Sequence, residues 1–138
     1  MSQLDRAEVE AQAARALAED WHGNDLTGAA VVDPGQCCLA QVVAREDGVL
    51  CGAALAREVF RQVDSAISFD QLMQDGDRLS PGSVPIRVEG PAQGILVGER
   101  TALNFLQHLS GIASLTARFV AVAGSYGVEI LDLSLIHI

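Results

Sequence analysis

Apolar residues recur along the chain at two different periods, and each change of period marks a new element. Leu4, Ala7, Ala11, Ala14, Leu17, Ala18 and Trp21 fall at helical spacing with Ala, Glu, Gln and Arg between them, so a first helix is predicted from Leu4 to Trp21, capped by Ser2 or Asp5. Asp25-Leu26-Thr27-Gly28 and Asp33-Pro34-Gly35 read as turns. Cys37 to Arg45 is apolar and β-branched, then come Asp47-Gly48 and Val49 to Gly52, which predicts two strands joined by a tight hairpin. Ala53 to Val63 returns to helical spacing through Ala56, Val59, Phe60 and Val63, with Arg57, Glu58, Arg61 and Gln62 outward. Ile67 to Met73 is a short strand. Asp75-Gly76-Asp77 and Ser80-Pro81-Gly82 are turns, and Val84 to Gly90 alternates as a strand, placed at a sheet edge because Pro85 has no amide to donate. Short strands, tight turns and two covering helices make an α+β fold with mainly antiparallel pairing.

After Gly90 the pattern changes. Pro91 to Val97 reads as a connector and Gly98 to Ala123 as one long helix, expected to bend at Ser110-Gly111. On that helix Arg100, Asn104, Gln107, Gly111, Ser114 and Arg118 share a narrow stripe, while Ala102, Leu103, Phe105, Leu106, Leu109, Ile112, Ala113, Phe119 and Val120 form a wide apolar face. The ordinary reading of such a helix is a solvated polar face over a core. Exposed faces usually alternate Glu and Lys, however, and this one carries Asn, Gln, Gly and Ser between two arginines, which suits recognition in a polar cavity. Gly124 and Gly127 end the helix. Val128 to Leu131 is predicted as a short buried strand, so helix and strand together look like the opening of a second, α/β domain.

Composition narrows the possibilities. The chain has 138 residues, room for one domain and a fragment of another, and no apolar run long enough for a membrane span. No basic region followed by an apolar core stands at the N-terminus, so a cytoplasmic location is expected. Eighteen acidic residues against nine basic ones give a net charge of −9, which disfavours nucleic-acid binding. All the basic residues are arginine, which excludes a Schiff-base lysine, a lipoyl or biotin lysine and a P-loop. Cys37, Cys38 and Cys51 lack CxxC spacing and are expected as buried free thiols. His22, His108 and His137 have no ligand spacing, and Asp75-Gly76-Asp77 lacks the remaining oxygens of a calcium loop, so no metal site is expected in this chain.

One stretch carries a resemblance to a known family. Gly98-Glu99-Arg100-Thr101-Ala102-Leu103-Asn104-Phe105-Leu106, followed by Leu109-Ser110-Gly111-Ile112-Ala113, closely resembles the signature of the quinolinate phosphoribosyltransferases, the carboxylating nicotinate-nucleotide pyrophosphorylases. Asp25-Leu26-Thr27, Ala44 to Gly52, Val59-Phe60, Asp75-Gly76-Asp77 and Val88-Glu89-Gly90 follow the family's order, so the likeness covers residues 10 to 132. The resemblance implies an enzyme of NAD biosynthesis that joins quinolinate and phosphoribosyl pyrophosphate, with magnesium, into nicotinate mononucleotide, pyrophosphate and carbon dioxide. It also implies an N-terminal α/β sandwich over residues 1–95, the start of an α/β barrel over 96–132, and a homodimer or higher homo-oligomer in which each N-terminal part closes the neighbour's barrel. By that likeness Arg100 meets a quinolinate carboxylate across the interface, with Asn104 and Ser110 as further contacts, and Arg118 stays an ordinary surface or interface residue.

The likeness stops after Asp132. The family continues Thr-Arg-Lys-Thr, whereas Leu133-Ser134-Leu135-Ile136-His137-Ile138 follows here and is read as a non-native tail. Without the barrel and its basic residues the chain is expected to hold no catalytic residue, to bind no metal and to be inactive alone. Two other readings stay open: a non-catalytic α+β binding or oligomerisation module, and a related phosphoribosyltransferase for nicotinate-like acids. The apolar helix face is expected to make the isolated chain self-associate.

Overall fold

Asp5 opens the first helix: its side-chain Oδ1 accepts the amide of Ala7 at 3.0 Å, and its carbonyl accepts that of Val9. The computed structural model describes residues 5–20, 32, 33 and 35–131, so the predicted turn at 25–28, the expected non-native tail at 133–138, and His22 and His137 lie outside the described residues. In chain order the elements are α1 (Arg6–Asp20), β1 (Cys37–Val42), β2 (Gly48–Val49), α2 (Ala53–Val63), β3 (Ser68–Gln71), β4 (Arg78–Leu79), β5 (Ile86–Pro91) and α3 (Ala92–Gly124). The architecture is α+β, as the patterning predicts, with all strand pairs antiparallel.

Among the described residues two sheets form, and neither is the predicted hairpin. β1, β5 and β3 make one sheet in the order β1-β5-β3, and β2 pairs with β4 in a second. After β1 the chain is drawn off by the segment before β5: Ala44 donates to Ser83 O and accepts from Gly82 N, both at 2.9 Å. Beyond this bend, β2 meets β4 instead of folding back on β1. Turn chemistry at Asp47-Gly48 is local, and these longer-range backbone bonds override it.

β5 is the central strand, which corrects its expected edge position. The proline argument fails by one residue. Pro85 is buried immediately before β5, where its missing amide costs no ladder bond, and its carbonyl accepts from Leu72 and Met73 at 2.8 and 3.2 Å. The strand alternates as predicted: Ile86, Val88 and Gly90 are buried, Arg87 and Glu89 exposed. The predicted buried strand at Val128 to Leu131 does not form, and those residues are exposed.

The core lies where the helices meet the sheet. α2 contributes Ala56, Val59 and Phe60, β5 contributes Ile86 and Val88, and α3 contributes Ile95, Ala102 and Leu106. α1 adds Ala13 and Leu17, whereas Ala7, Ala11, Ala14 and Ala18 face solvent. Its true inner face is rotated from the predicted one because alanine is favoured at every helical position and so hides the phase. Glu58, expected outward, is also buried at 8 % exposure. Arg61 meets it with two bonds of 2.7 Å and Gln62 with a third, while Gln62 also donates to Glu10 O and so ties α2 to α1. A buried carboxylate is tolerable only with partners of this kind.

α2 begins without a cap of its own. Gly52 occupies the N-cap position at φ 103°, with no side-chain bond to the helix. A carboxylate from a distant turn replaces it: Asp75 accepts the amides of Gly52 and Ala53 at 2.9 and 3.2 Å. Gly52 is required twice over, since a Cβ would meet Leu109 Cδ1 at 3.0 Å and Phe105 O at 3.3 Å.

Candidate functional site

α3 starts at Ala92, six residues before the predicted start, and runs 33 residues through Ser110-Gly111 without a break. Pro91, the N-cap, has the fixed φ that suits a helix entry, so the expected connector is already helical. At about 1.5 Å per residue the helix spans about 50 Å, longer than the rest of the domain can cover. Its first half is packed: Gly98, Thr101, Ala102 and Leu106 are buried. Gly98 allows the close approach of α2, for a Cβ there would lie 2.9 Å from Phe60 Cδ1.

The second half is not covered among the described residues. Ile112, Leu115, Phe119, Val120 and Val122 are each 50 % or more exposed. The wide apolar face read from the periodicity is therefore real, but this domain buries only its N-terminal part.

The polar stripe divides in the same way. Arg100, Asn104, Gln107, Gly111 and Arg118 are exposed, so the stripe faces outward and not into a cavity enclosed by this domain. Ser110 and Ser114 turn instead toward the β2 segment. Ser114 Oγ accepts Val49 N at 2.8 Å, and Ser110 Oγ accepts Cys51 N at 3.0 Å while donating to Cys51 O at 3.2 Å. Two hydroxyls four residues apart thus stand in for a third strand along β2.

Two open clefts flank the stripe. One, of about 670 Å³, is lined by Glu19 and Asp20 of α1 and by Thr101, Asn104, Gln107 and His108 of α3. The other, of about 700 Å³, lies between the 41–48 segment and Leu103, Gln107, Ser110 and Ser114. Asn104 lines the first and Gln107 lines both; Arg100 stands outside them, exposed, with no ion-pair partner among the described residues. A free guanidinium on a rigid helix can take a carboxylate or phosphate in two parallel charge-assisted bonds.

Titratable chemistry is sparse elsewhere. The side-chain bonds from Arg61 hold the Glu58 carboxyl below its ordinary range, and Glu58 in turn raises Arg61. Burial, with the Asp75 charge behind it, pushes the Cys51 thiol up, which makes it a poor nucleophile. All three cysteines are free; Cys37 is exposed and Cys38 and Cys51 half-buried, which corrects the expectation of buried thiols. Cys37 faces out because β1 alternates, and its inward positions belong to Cys38, Ala40 and Val42. Among the described residues no group of three His, Cys, Asp or Glu side chains is placed to hold a metal ion. No described helix is long and apolar enough to cross a membrane. The Asp75 cap and the Thr101–Asp20 contact escaped sequence reasoning, since each joins residues far apart in the chain by no local pattern.

An α+β domain that carries a long helix with an exposed polar stripe is the class of protein defined here, and comparison with known proteins places it. Residues 25–110 match the family described as quinolinate phosphoribosyl transferase, N-terminal domain, and the chain belongs to this family. It is 37 % identical over 114 residues to a probable carboxylating nicotinate-nucleotide pyrophosphorylase of Bacillus subtilis, covering 83 % of this chain and 39 % of that protein. It is 41 % identical over 102 residues to the chloroplastic carboxylating nicotinate-nucleotide pyrophosphorylase of Arabidopsis thaliana, covering 73 % of this chain and 29 % of the relative. The NadC structure from Streptococcus pyogenes superposes with a TM-score of 0.85 at 36 % identity, over 90 % of this chain and 44 % of that one. The chain therefore spans well under half the length of these relatives.

Proposed function

We propose that these 138 residues are the N-terminal part of an enzyme that joins quinolinate and phosphoribosyl pyrophosphate into nicotinate mononucleotide, with release of pyrophosphate and carbon dioxide. The family match over residues 25–110 supports it, as do the relatives' names, among them a decarboxylating quinolinate phosphoribosyltransferase of Nicotiana tabacum. In this reading the domain serves by closing a site it does not itself contain. The observation that supports it is Arg100, exposed on the packed half of α3 and unpaired among the described residues, which leaves its guanidinium free to meet a second body. A neighbouring copy supplies that body, so a homodimer or higher homo-oligomer is part of the proposal. Asn104, also exposed and one turn along, belongs to the same surface. Ser110 is left out because its hydroxyl is committed to Cys51.

The charge balance supports a division of labour. A net charge of −9 without lysine is unsuited to holding two anionic substrates, so the phosphates of phosphoribosyl pyrophosphate and any magnesium fall to chain beyond these residues. A cytoplasmic location is carried along with this reading. The test is Arg100→Ala in the full-length enzyme. Loss of a charged pairing costs about 1.5–3 kcal/mol, so the quinolinate KM should rise roughly ten- to a hundredfold. An unchanged KM would remove Arg100 from the site. Nicotinate mononucleotide formed by the 138-residue chain alone, above a blank, would refute the division of labour.

A further inference from the structure

The buried polar side chains among the described residues are Glu58 and Thr101, and Thr101, at 2 % exposure, is the more deeply buried. Its Oγ1 donates to Asp20 Oδ2 at 2.9 Å, across 81 positions of sequence. Asp20 is the last residue of α1, and no basic residue stands in that helix's last turn. A carboxylate there lies against the negative end of the helix dipole, so α1 gains nothing from it by itself. What it provides is an acceptor for α3, one residue along from Arg100.

The packed face of α3 gives this bond its leverage. Gly98 sits against the Phe60 ring, and Thr101 and Ala102 are buried beside it, so this face sets how α3 is rolled on the domain. Gly98 on Phe60 is a close apolar contact, and like any apolar contact it has no preferred direction. The Thr101–Asp20 bond, at 2.9 Å, is directional and weakens steeply as its angle departs from linear. Arg100 follows whatever roll and axial position these contacts impose.

We propose that the Thr101–Asp20 hydrogen bond is a positioning contact for Arg100, fixing the register of α3 against the end of α1 so that the guanidinium is presented to the quinolinate carboxylate held by the neighbouring copy. The inference rests on the role given to Arg100 above. Its test uses the full-length enzyme with Thr101→Val, which keeps the volume, Thr101→Ser, which keeps the hydroxyl, Asp20→Ala, Arg100→Ala, and the Arg100→Ala/Thr101→Val pair.

Thr101→Val and Asp20→Ala should raise the quinolinate KM about five- to tenfold, leaving kcat and the phosphoribosyl pyrophosphate KM within about twofold, and Thr101→Ser should restore it. The double variant should bind quinolinate no worse than Arg100→Ala alone, because both changes act through one group. A Thr101→Val enzyme that melts earlier but keeps its quinolinate KM would overturn the proposal, as would full additivity in the pair. If Thr101→Val does not fold, Asp20→Ala decides the matter from the exposed end of α1. Should Arg100→Ala raise KM while Thr101→Val and Asp20→Ala do not, positioning alone falls; should Arg100→Ala leave KM unchanged, the role of Arg100 falls and takes positioning with it.

Discussion

Asp75→Ala removes the carboxylate that caps α2 from outside the helix. In the native fold its two oxygens accept the amides of Gly52 and Ala53, and nothing on α2 can replace them because the N-cap residue is glycine. Loss of an N-cap costs about 1–2 kcal/mol, and a hydrogen bond to a charged acceptor nets about 1.5–3 kcal/mol. The second bond, at 3.2 Å, is the weaker, and the half-buried site lets some water reach the freed amides, so the two figures overlap more than they add. The expected loss is about 2–3 kcal/mol for Asp75→Ala and about half that for Asp75→Asn, which keeps one acceptor. Urea unfolding followed by far-UV circular dichroism measures it, and the midpoint should fall with little change in slope. A loss below about 0.5 kcal/mol for the alanine variant would show that α2 does not depend on this cap.

Two further outcomes follow from the charge network and the bare helix face. The Glu58 carboxyl is held below its ordinary range, chiefly by its bonds from Arg61, so the folded state favours the charged form. That stabilisation is complete above the unfolded carboxyl pKa and is lost as pH falls through the lower folded value; stability should decline on acidification, and Glu58→Gln should flatten that decline in denaturation curves taken from neutral to acid pH. An acid limb of unchanged steepness in the variant would place the linkage elsewhere. The isolated chain should self-associate through the outer half of α3, where Leu115 and Phe119 are 55 % and 58 % exposed. Leu115→Glu with Phe119→Glu should shift its sedimentation toward monomer, and a parent chain that is already monodisperse and monomeric at high concentration would contradict this.

Much of this molecule is legible in its sequence because it is decided locally. Helical periodicity placed α2 to the residue, and alternation along Ile86 to Gly90 sorted its inward and outward side chains correctly. The stretch from Gly98 to Ala113 carried the family resemblance, which the match over residues 25–110 bears out. Local rules also predicted a hairpin at Asp47-Gly48 and an edge strand at Pro85, and both are wrong here because strand partners are chosen by bonds between distant segments, Ala44 with Gly82 and Ser83 above all. For the same reason no pattern announced that Ser110 and Ser114 would brace β2, or that Asp75 and Asp20 would each bond an element far along the chain. By itself the sequence determined most of the helices and longer strands, the α+β class and the polar stripe with Arg100, all of which follow from the spacing of side chains along one segment, while β4 and the true start of α3 escaped it. Only the tertiary structure decided which way that stripe faces and what holds it there, because those depend on contacts between residues that the chain brings together only on folding.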